Sequence, residues 1–212
     1  MKPLADCRLY AFVDTTYLRG RAPELLAQQL CDGGADLIQL RAKNSPPEEI
    51  RRLAEKILPV TRRANVGLVI NDHLDIARAV GAELCHLGQE DFFDAGHRHV
   101  SELETQNSKL NIGLSTHAPD QALRALAADA DYLAIGPVHA TGTKPGAKPV
   151  TLDYVRWAAA SVTRPWFAIG GINLSNLDEV LAAGAQRICI VSAILNADDV
   201  AQACAKFRRR LP

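Results

Sequence analysis

Short apolar or β-branched segments recur roughly every 25 residues along the chain, and amphipathic helical patterns separate them. This alternation is typical of parallel strands joined by helices. The predicted strands are residues 8–13, 37–40, 67–70, 84–87, 111–114, 132–135, 166–169 and 188–191. Eight such units within 212 residues predict an α/β protein with a single (β/α)8 TIM barrel, and a doubly wound open sheet is the alternative.

The ends of the predicted helices carry residue types that suit helix ends. Segments 23–31 and 46–60 open on prolines, which fit the first helical turn because no amide donor is needed there. The phrases GGAD (33–36), VGAEL (80–84), DADYL (129–133) and AAGAQ (182–186) each place a glycine or another small residue before the next strand. No linker-like segment interrupts the pattern, so residues 1–212 are predicted to form one domain.

Composition argues against several classes of partner. Lys plus Arg and Asp plus Glu both number 24, so no net charge attracts nucleic acid or an anionic membrane surface. No apolar run is long enough for a spanning helix or a signal peptide. The five cysteines lack CxxC pairing, which predicts buried free thiols in a cytoplasmic protein. The sequence is compatible with a homo-oligomer.

In a parallel barrel, function collects where the strands end, and polar residues follow most of the predicted strands. Gln39, Arg41 and Lys43 alternate along the segment that leaves the second strand, so their side chains share one direction. Two cations on one face suit a polyphosphate. The alternative is that Arg41 and Lys43 begin a solvated loop while Gln39 packs inside the barrel.

Carboxylates follow two neighbouring strands. Asp72 comes after Asn71 at the end of the third strand, and Asp91 lies in the segment HLGQED after the fourth. Carboxylates from adjacent loops can hold Mg²⁺, which takes its remaining ligands from water and substrate phosphates. Asp72 and Asp91 are therefore the predicted metal ligands. Their alternative roles are a helix cap for Asp72 and surface charge in a turn for Asp91.

Three further segments carry polar or small residues. Ser115 follows the fifth strand and lacks the surroundings of a nucleophile elbow, so hydrogen bonding to a ligand is the favoured role. The loop 136–149 contains Thr141, Thr143 and Lys144, which suit phosphate oxygens, although it is not a Walker A sequence and a mobile polar loop is the alternative. Gly171 and Ser192 follow the seventh and eighth strands, where such barrels bind phosphate.

The ordered segments IQLRAK, INDHLDIA, HLGQED, IGLSTH, GPVHATGTK, IGGI and VSAI resemble the thiamine phosphate synthase family over residues 10–195. The resemblance implies a TIM barrel that joins 4-amino-2-methyl-5-hydroxymethylpyrimidine diphosphate to 4-methyl-5-(2-phosphoethyl)thiazole with Mg²⁺. The products would be thiamine phosphate and pyrophosphate. Each motif is ordinary alone, but seven in the family's order are specific.

The resemblance also implies roles for individual residues. The pyrimidine diphosphate would be contacted by Gln39, Arg41, Lys43, Asn71, Ser115 and Lys144, of which Arg41, Lys43, Ser115 and Lys144 are the expected catalytic group. The metal would be held by Asp72 and Asp91. The thiazole phosphate would be bound by Thr141, Thr143, Gly171, Val191 and Ser192. In the family's dissociative reaction pyrophosphate leaves first, so no general base is expected, and His73, His86, His117 and His139 are interpreted as packing or supporting groups.

The sequence departs from the family's pattern at two positions, with Gly142 between the two threonines and His139 where phenylalanine is common. Because of His139, a related thiazole tautomerase is an alternative function, although that enzyme lacks the diphosphate and metal residues. A sugar-phosphate isomerase or epimerase would share only the glycine pair and the strand-eight features. A non-catalytic paralogue that binds thiamine precursors is the alternative of a different class.

Overall fold

The computed structural model describes residues 1–103, 110–142 and 148–212. Its strands form a closed barrel in which neighbours in sequence are neighbours in space and every pair is parallel. The strands are β1 (Leu9–Asp14), β2 (Leu37–Arg41), β3 (Gly67–Asn71), β4 (Leu84–Leu87), β5 (Asn111–Thr116), β6 (Tyr132–Ile135), β7 (Trp166–Ile169) and β8 (Ile188–Cys189). Because β1 pairs with β8, the predicted TIM barrel is confirmed and the open sheet is excluded.

Helices connect the strands on the outside of the barrel. They are α1 (Pro23–Asp32), α2 (Pro47–Arg63), α3 (Leu74–Val80), α4 (Pro119–Ala127), α5 (Thr151–Ser161), α6 (Leu177–Ala182), α7 (Ser192–Leu195) and α8 (Val200–Arg208). The predicted helix 46–60 begins one residue later and continues past Pro59 to Arg63. Its buried face, which includes Ile57, Leu58, Val60 and Thr61, explains the continuation, because tertiary packing outweighs the low helix propensity of an internal proline.

The four helix-to-strand phrases adopt one shared geometry. Each contains a residue with positive φ, and these residues are Gly34, Gly81, Asp129 and Gly184. In each phrase the N–H of the alanine that follows donates to a carbonyl five residues earlier, as in the link from Ala82 to Ala77. This pattern is the Schellman type of helix end, which satisfies the last carbonyls of the helix before the chain turns into the strand. The sequence prediction for these turns is confirmed.

An aromatic layer fills the middle of the barrel. The rings of Tyr10, Tyr132 and Phe167 meet edge to face, with centroid separations of 5.3 to 6.2 Å. Gly113 makes room for this layer, since a Cβ at that position would lie 2.0 Å from the Tyr132 ring. The layer closes the barrel beneath the carboxyl ends of the strands. No helix in the described ranges has both the length and the apolar character needed to cross a membrane.

Candidate active site

One cavity opens at the carboxyl ends of the strands, and it gathers nearly all the residues that the sequence singled out. The predicted residues that line it are Gln39, Arg41, Lys43, Asn71, Asp72, Asp91, Ser115, Thr141, Gly171, Val191 and Ser192. Two other predicted residues, Thr143 and Lys144, lie outside the described residues. Side chains separated by up to about 150 positions in the chain thus share one site, because parallel strands of a barrel all end on the same side.

On the β2 side of the cavity, Arg41 is fixed by a buried acid. Arg41 and Asp14 are direct partners in the β1–β2 register, and Arg41 Nη1 donates to Asp14 Oδ2 at 2.7 Å. The other oxygen of Asp14 accepts the backbone N–H of Thr16 at 2.9 Å. The Asp14 side chain is only 1% exposed, so its charge depends on these partners. Lys43 lies beyond the end of β2 and is exposed, which leaves its ammonium group accessible to a ligand in the cavity.

Asp72 does not cap the helix that follows it. The N-cap of α3 is His73, which makes no side-chain capping bond, while Asp72 adopts a φ of 63°. Asp72 Oδ2 instead accepts a hydrogen bond from Asn71 Nδ2 at 2.5 Å. Burial raises the pKa of the Asp72 carboxyl, the negative charge of Asp91 raises it further, and Lys43 acts in the opposite direction. The helix-cap alternative is therefore wrong for Asp72, which faces the cavity with a charge that burial and Asp91 disfavour.

Asp91 lies in a π-helical turn, Glu90–Asp94, and hydrogen bonds of the two preceding residues, Gly88 and Gln89, hold this turn in place. Gly88 N–H donates to Asp91 Oδ2 at 3.1 Å. Gln89 Nε2 donates to the Ser115 carbonyl at 2.5 Å, and Arg124 Nη2 donates to Gln89 Oε1 at 2.7 Å. The buried Gln89 therefore ties the Asp91 turn to the end of β5. Sequence analysis missed Gln89 because its amide acts entirely through contacts with distant segments.

The donor set fits a hard divalent cation that is bound in part by substrate. Asp72 and Asp91 line the same cavity, and the effect of Asp91 on the pKa of Asp72 places their charges within electrostatic range. Among the residues that the structure describes, no group of three or more His, Cys, Asp or Glu side chains is arranged to hold a metal ion. Two carboxylates without further protein ligands are typical of Mg²⁺ sites that are completed by water and phosphate oxygens.

Across the ring, the glycine pair after β7 lets two loops approach closely. Gly171 has a φ of 63°, and a Cβ there would lie 2.5 Å from the Ala140 carbonyl oxygen. The Gly171 carbonyl accepts a hydrogen bond from Asn176 Nδ2 at 2.9 Å. His139 N–H donates to the Gly170 carbonyl at 3.0 Å, which joins the loop after β6 to the loop after β7. These contacts bring Thr141 and Gly171 to the same wall of the cavity.

Val191 and Ser192 complete this wall from the end of β8. Ser192 is the first residue of α7. The Ile194 and Leu195 N–H groups bond the Val191 carbonyl, which leaves the N–H groups of Ser192 and Ala193 to donate to an anion. The wall formed by the loops after β6, β7 and β8 thus carries small residues and the first N–H groups of α7, whereas the wall formed by β2, β3 and β4 carries full charges.

A chain of hydrogen bonds runs through the floor of the cavity. Gln39 Nε2 donates to the Tyr10 hydroxyl at 2.6 Å, and the Tyr10 and Tyr132 hydroxyls are 3.3 Å apart. The Tyr132 hydroxyl lies 3.2 Å from His86 Nδ1, and His86 Nε2 lies 2.9 Å from Ser115 Oγ. These five residues are called the floor network below. It links two predicted ligand contacts, Gln39 and Ser115, through His86, which was interpreted as a packing or supporting group, and through Tyr10 and Tyr132, for which the sequence suggested no role.

The histidines separate into different environments. His86 is buried and lines the cavity, and the exposed His117 also lines it, with Nδ1 2.5 Å from the Gly136 carbonyl oxygen. His139 Nε2 lies 3.5 Å from Glu179 Oε1, and His139 is not among the residues that line the cavity. The sequence identified His86 as a packing or supporting group, and its position on β4 places it in the lining of the cavity.

Comparisons with known proteins identify the family of the chain. A family model described as thiamine monophosphate synthase matches residues 9–194. Thiamine-phosphate synthase from Thermus thermophilus is 46% identical over 181 residues, which cover 84% of each chain, and that from Acidothermus cellulolyticus is 44% identical over 210 residues, covering 98% of this chain and 96% of its own. The solved structure of a thiamine phosphate pyrophosphorylase from Pyrococcus furiosus has a TM-score of 0.84 at 30% identity, covering 98% of this chain and 96% of that chain. The family match begins in β1 and extends past β8 into α7, so the chain belongs to the thiamine monophosphate synthase family, whose members are enzymes of thiamine biosynthesis.

Proposed function

We propose that this protein joins 4-amino-2-methyl-5-hydroxymethylpyrimidine diphosphate to 4-methyl-5-(2-phosphoethyl)thiazole, and releases thiamine phosphate and pyrophosphate. The observation that carries the proposal is that one cavity has two walls of different character, each of which suits a phosphate group. Charged groups come from β2, β3 and β4, and backbone donors and small residues come from the loops after β6, β7 and β8. In the closed ring, β3 lies opposite β7 and β4 lies opposite β8, so two phosphorylated substrates can meet between the walls.

The charged wall suits the diphosphate. Arg41 is held in place by Asp14 and presents a planar donor group, while Lys43 adds a mobile point charge. Asp72 and Asp91 would hold Mg²⁺, which when bound supplies positive charge to the leaving diphosphate. These groups favour departure of the diphosphate because they stabilise the charge that grows on it as the bond breaks.

The proposed reaction breaks one bond and forms one. The bond between the pyrimidine methylene carbon and the diphosphate oxygen breaks, and its electron pair leaves with pyrophosphate. The methylene cation is stabilised by the pyrimidine ring and is captured by the lone pair of the thiazole nitrogen. No proton is transferred, so the chain needs to orient the nucleophile and exclude water rather than supply a base.

The alternative of a thiazole tautomerase has less support. His86 and His117 do line the cavity, and a tautomerase would need a histidine that transfers protons. However, both are engaged with protein groups, His86 with Tyr132 and Ser115 and His117 with the Gly136 carbonyl. A tautomerase would also have no use for Arg41, Lys43, Asp72 and Asp91 in the same cavity. A cytoplasmic location is part of the proposal, supported by five free cysteines that suit a reducing compartment.

Single-turnover mixing of the two substrates, with and without Mg²⁺, tests the proposal. We expect thiamine phosphate and pyrophosphate in equal amounts with Mg²⁺, and little product when the metal is removed by a chelator. Asp91→Ala should chiefly lower the rate of the chemical step, whereas Ser192→Ala should mainly raise the KM for the thiazole phosphate. No product from the wild type under any of these conditions would refute the synthase function. The reverse pattern in the two variants would show that the two walls are assigned the wrong way round.

A further inference from the structure

The floor network has a direction, and one amide group sets it. Gln39 presents its Nε2 to the Tyr10 hydroxyl at 2.6 Å, so the Tyr10 oxygen accepts this bond and must give its own proton elsewhere. Within the described residues, the neighbour recorded for that proton is the Tyr132 hydroxyl at 3.3 Å. Tyr132 can then donate only onward, to His86 Nδ1 at 3.2 Å. Each hydroxyl in the chain therefore accepts from the Gln39 side and donates toward β4.

With Nε2 of the Gln39 amide placed toward Tyr10, the opposite direction leaves a buried proton without an acceptor, and only a half-turn of that amide would supply one. If Ser115 donated to His86, then His86 Nδ1 would donate to Tyr132, and Tyr132 would donate to Tyr10. The Tyr10 oxygen would then accept twice while its own proton faced the Gln39 amide nitrogen. An unpaired hydroxyl in a fully buried position costs more than any bond in the network contributes. Burial also raises the pKa of Tyr10 and of Tyr132 well above the ordinary value, so both phenols keep the protons they donate.

We propose that Tyr132 and His86 are positioning residues that turn Ser115 into a hydrogen-bond donor toward the diphosphate of the bound pyrimidine substrate. Because Tyr132 donates to Nδ1, neutral His86 carries its proton on Nε2 and donates it to Ser115 Oγ at 2.9 Å. Ser115 already accepts this bond, so its own proton is directed to a group in the cavity. The identity of that group rests on the proposed function, whereas the tautomer of His86 does not.

The chain offers a substitution at the middle of the network and a matched control. Tyr132→Phe removes one hydroxyl and keeps the ring that packs on Gly113. Tyr154→Phe removes another buried hydroxyl, which bonds Thr116 Oγ1 at 2.8 Å and the Ala118 carbonyl at 2.9 Å and does not belong to the network. A loss that comes only from a weaker core should appear in both variants.

The first measurement is ¹⁵N NMR of the histidine-labelled wild type at pH 8.5, where an ordinary histidine is neutral, with His86 assigned by its absence in His86→Asn. We expect an unprotonated Nδ1 and a protonated Nε2. A proton on Nδ1 would overturn the proposal, whether or not the enzyme makes thiamine phosphate. In Tyr132→Phe we expect the Nδ1-protonated form to appear, and in Tyr154→Phe we expect no change. The wild-type spectrum decides the matter even if Tyr132→Phe folds poorly.

The second measurement is steady-state kinetics of the same variants. Tyr132→Phe should lower kcat/KM for the pyrimidine diphosphate roughly tenfold and leave the KM for the thiazole phosphate unchanged. Tyr154→Phe should keep wild-type kinetics. In a Ser115→Ala background, Tyr132→Phe should have no further effect, because the donor it orients is gone. If the two losses in kcat/KM multiply in the double variant, or if Tyr154→Phe lowers kcat/KM as much as Tyr132→Phe does, the proposal is overturned.

Discussion

Asp14 and Arg41 face each other in register on neighbouring strands, and the buried carboxylate of Asp14 accepts a 2.7 Å hydrogen bond from the Arg41 guanidinium. The pair begins the charged wall of the cavity, yet only Arg41 is recognisable from its sequence neighbours. Asp14 lies at the end of a strand whose six residues are all buried, so it has few hydrogen-bond partners besides Arg41 and Thr16 in the described part of the chain.

The first prediction concerns this pair. Asp14→Asn keeps the shape of the side chain and removes its charge, so Arg41 is held less firmly. We expect kcat/KM for the pyrimidine diphosphate to fall roughly tenfold, and the free energy of unfolding to fall by about 2 kcal/mol. Steady-state kinetics and urea denaturation measure the two effects. Higher activity in the variant would show instead that the negative charge of Asp14 repels the diphosphate more than its bond to Arg41 helps.

The second prediction concerns Gly88 and the metal. A Cβ at position 88 would lie 2.7 Å from Asp91 Oδ2, so Gly88→Ala should displace this carboxylate. The Mg²⁺ concentration for half-maximal activity should rise roughly tenfold, while the melting temperature stays close to the wild-type value. The matched control is Gly88→Ala in an Asp91→Asn background, where the substitution should add little. An equal effect in both backgrounds would mean that Gly88 does not act through Asp91.

The third prediction concerns Gly171. An alanine there would have to adopt a φ of 63° and would place Cβ 2.5 Å from the Ala140 carbonyl oxygen. The φ alone costs about 1 kcal/mol, and the contact would separate the loops after β6 and β7. We expect the KM for the thiazole phosphate to rise roughly tenfold, because this wall would lose its shape.

Gly20→Ala is the control for backbone strain in this third prediction. Gly20 has a φ of 77°, but a Cβ there would meet no atom within 4 Å. Its substitution should lower the melting temperature slightly and leave both KM values unchanged. If Gly20→Ala and Gly171→Ala have the same kinetic effect, strain alone would explain the result and the contact with Ala140 would be irrelevant.

The fourth prediction is a pH dependence of stability at the other end of the barrel. Burial by itself would raise the pKa of Asp36, but hydrogen bonds from Lys2 Nζ, Arg8 N–H and Leu9 N–H lower it overall. A lowered pKa in the folded state means that the carboxylate stabilises the protein above its unfolded pKa of about 3.9, and that this contribution is lost as the pH falls further.

Asp36→Asn should therefore cost about 2 kcal/mol at pH 7 and progressively less below about pH 4. Urea denaturation across this range measures the difference. The control is Asp153→Asn, because the Asp153 side chain is 89% exposed and pairs only with Arg156 in the described structure. This substitution should leave the free energy of unfolding unchanged at every pH. If Asp36→Asn lowers the free energy of unfolding equally at every pH, a packing defect and not the loss of charge would explain the effect.

The sequence was sufficient for the barrel because its cues are local. Strand segments, prolines in the first helical turn and residues with positive φ after the helices each depend on a few adjacent residues. The predicted strands agree with the observed ones within two residues at their ends. The fifth and eighth strands differ most, since the fifth was predicted to end at residue 114 and reaches Thr116, while the eighth was predicted to reach residue 191 and ends at Cys189. Val191 instead caps α7, with a φ of −113° and a ψ of −90° that no strand adopts.

The supporting residues of the site could not be predicted in the same way. Asp14, Gln89 and Asn176 act through partners that lie 27, 26 and 5 positions away, and nothing in their own neighbourhoods distinguishes them from ordinary polar residues. The groups that line the cavity were recognisable because each lies near the carboxyl end of a strand. Their ligand roles remain predictions, and so do the roles of Thr143 and Lys144, which lie outside the described residues.

The floor network also bears on attempts to make this protein more heat-resistant. Replacing buried polar side chains with aliphatic ones of similar volume often raises the melting temperature of a protein. Here the same interior positions orient Ser115. A variant with leucine or phenylalanine in place of Tyr132 and His86 would therefore have a higher melting temperature and a lower catalytic rate. Selection for catalysis would therefore keep these interior positions polar even in relatives that live at high temperature.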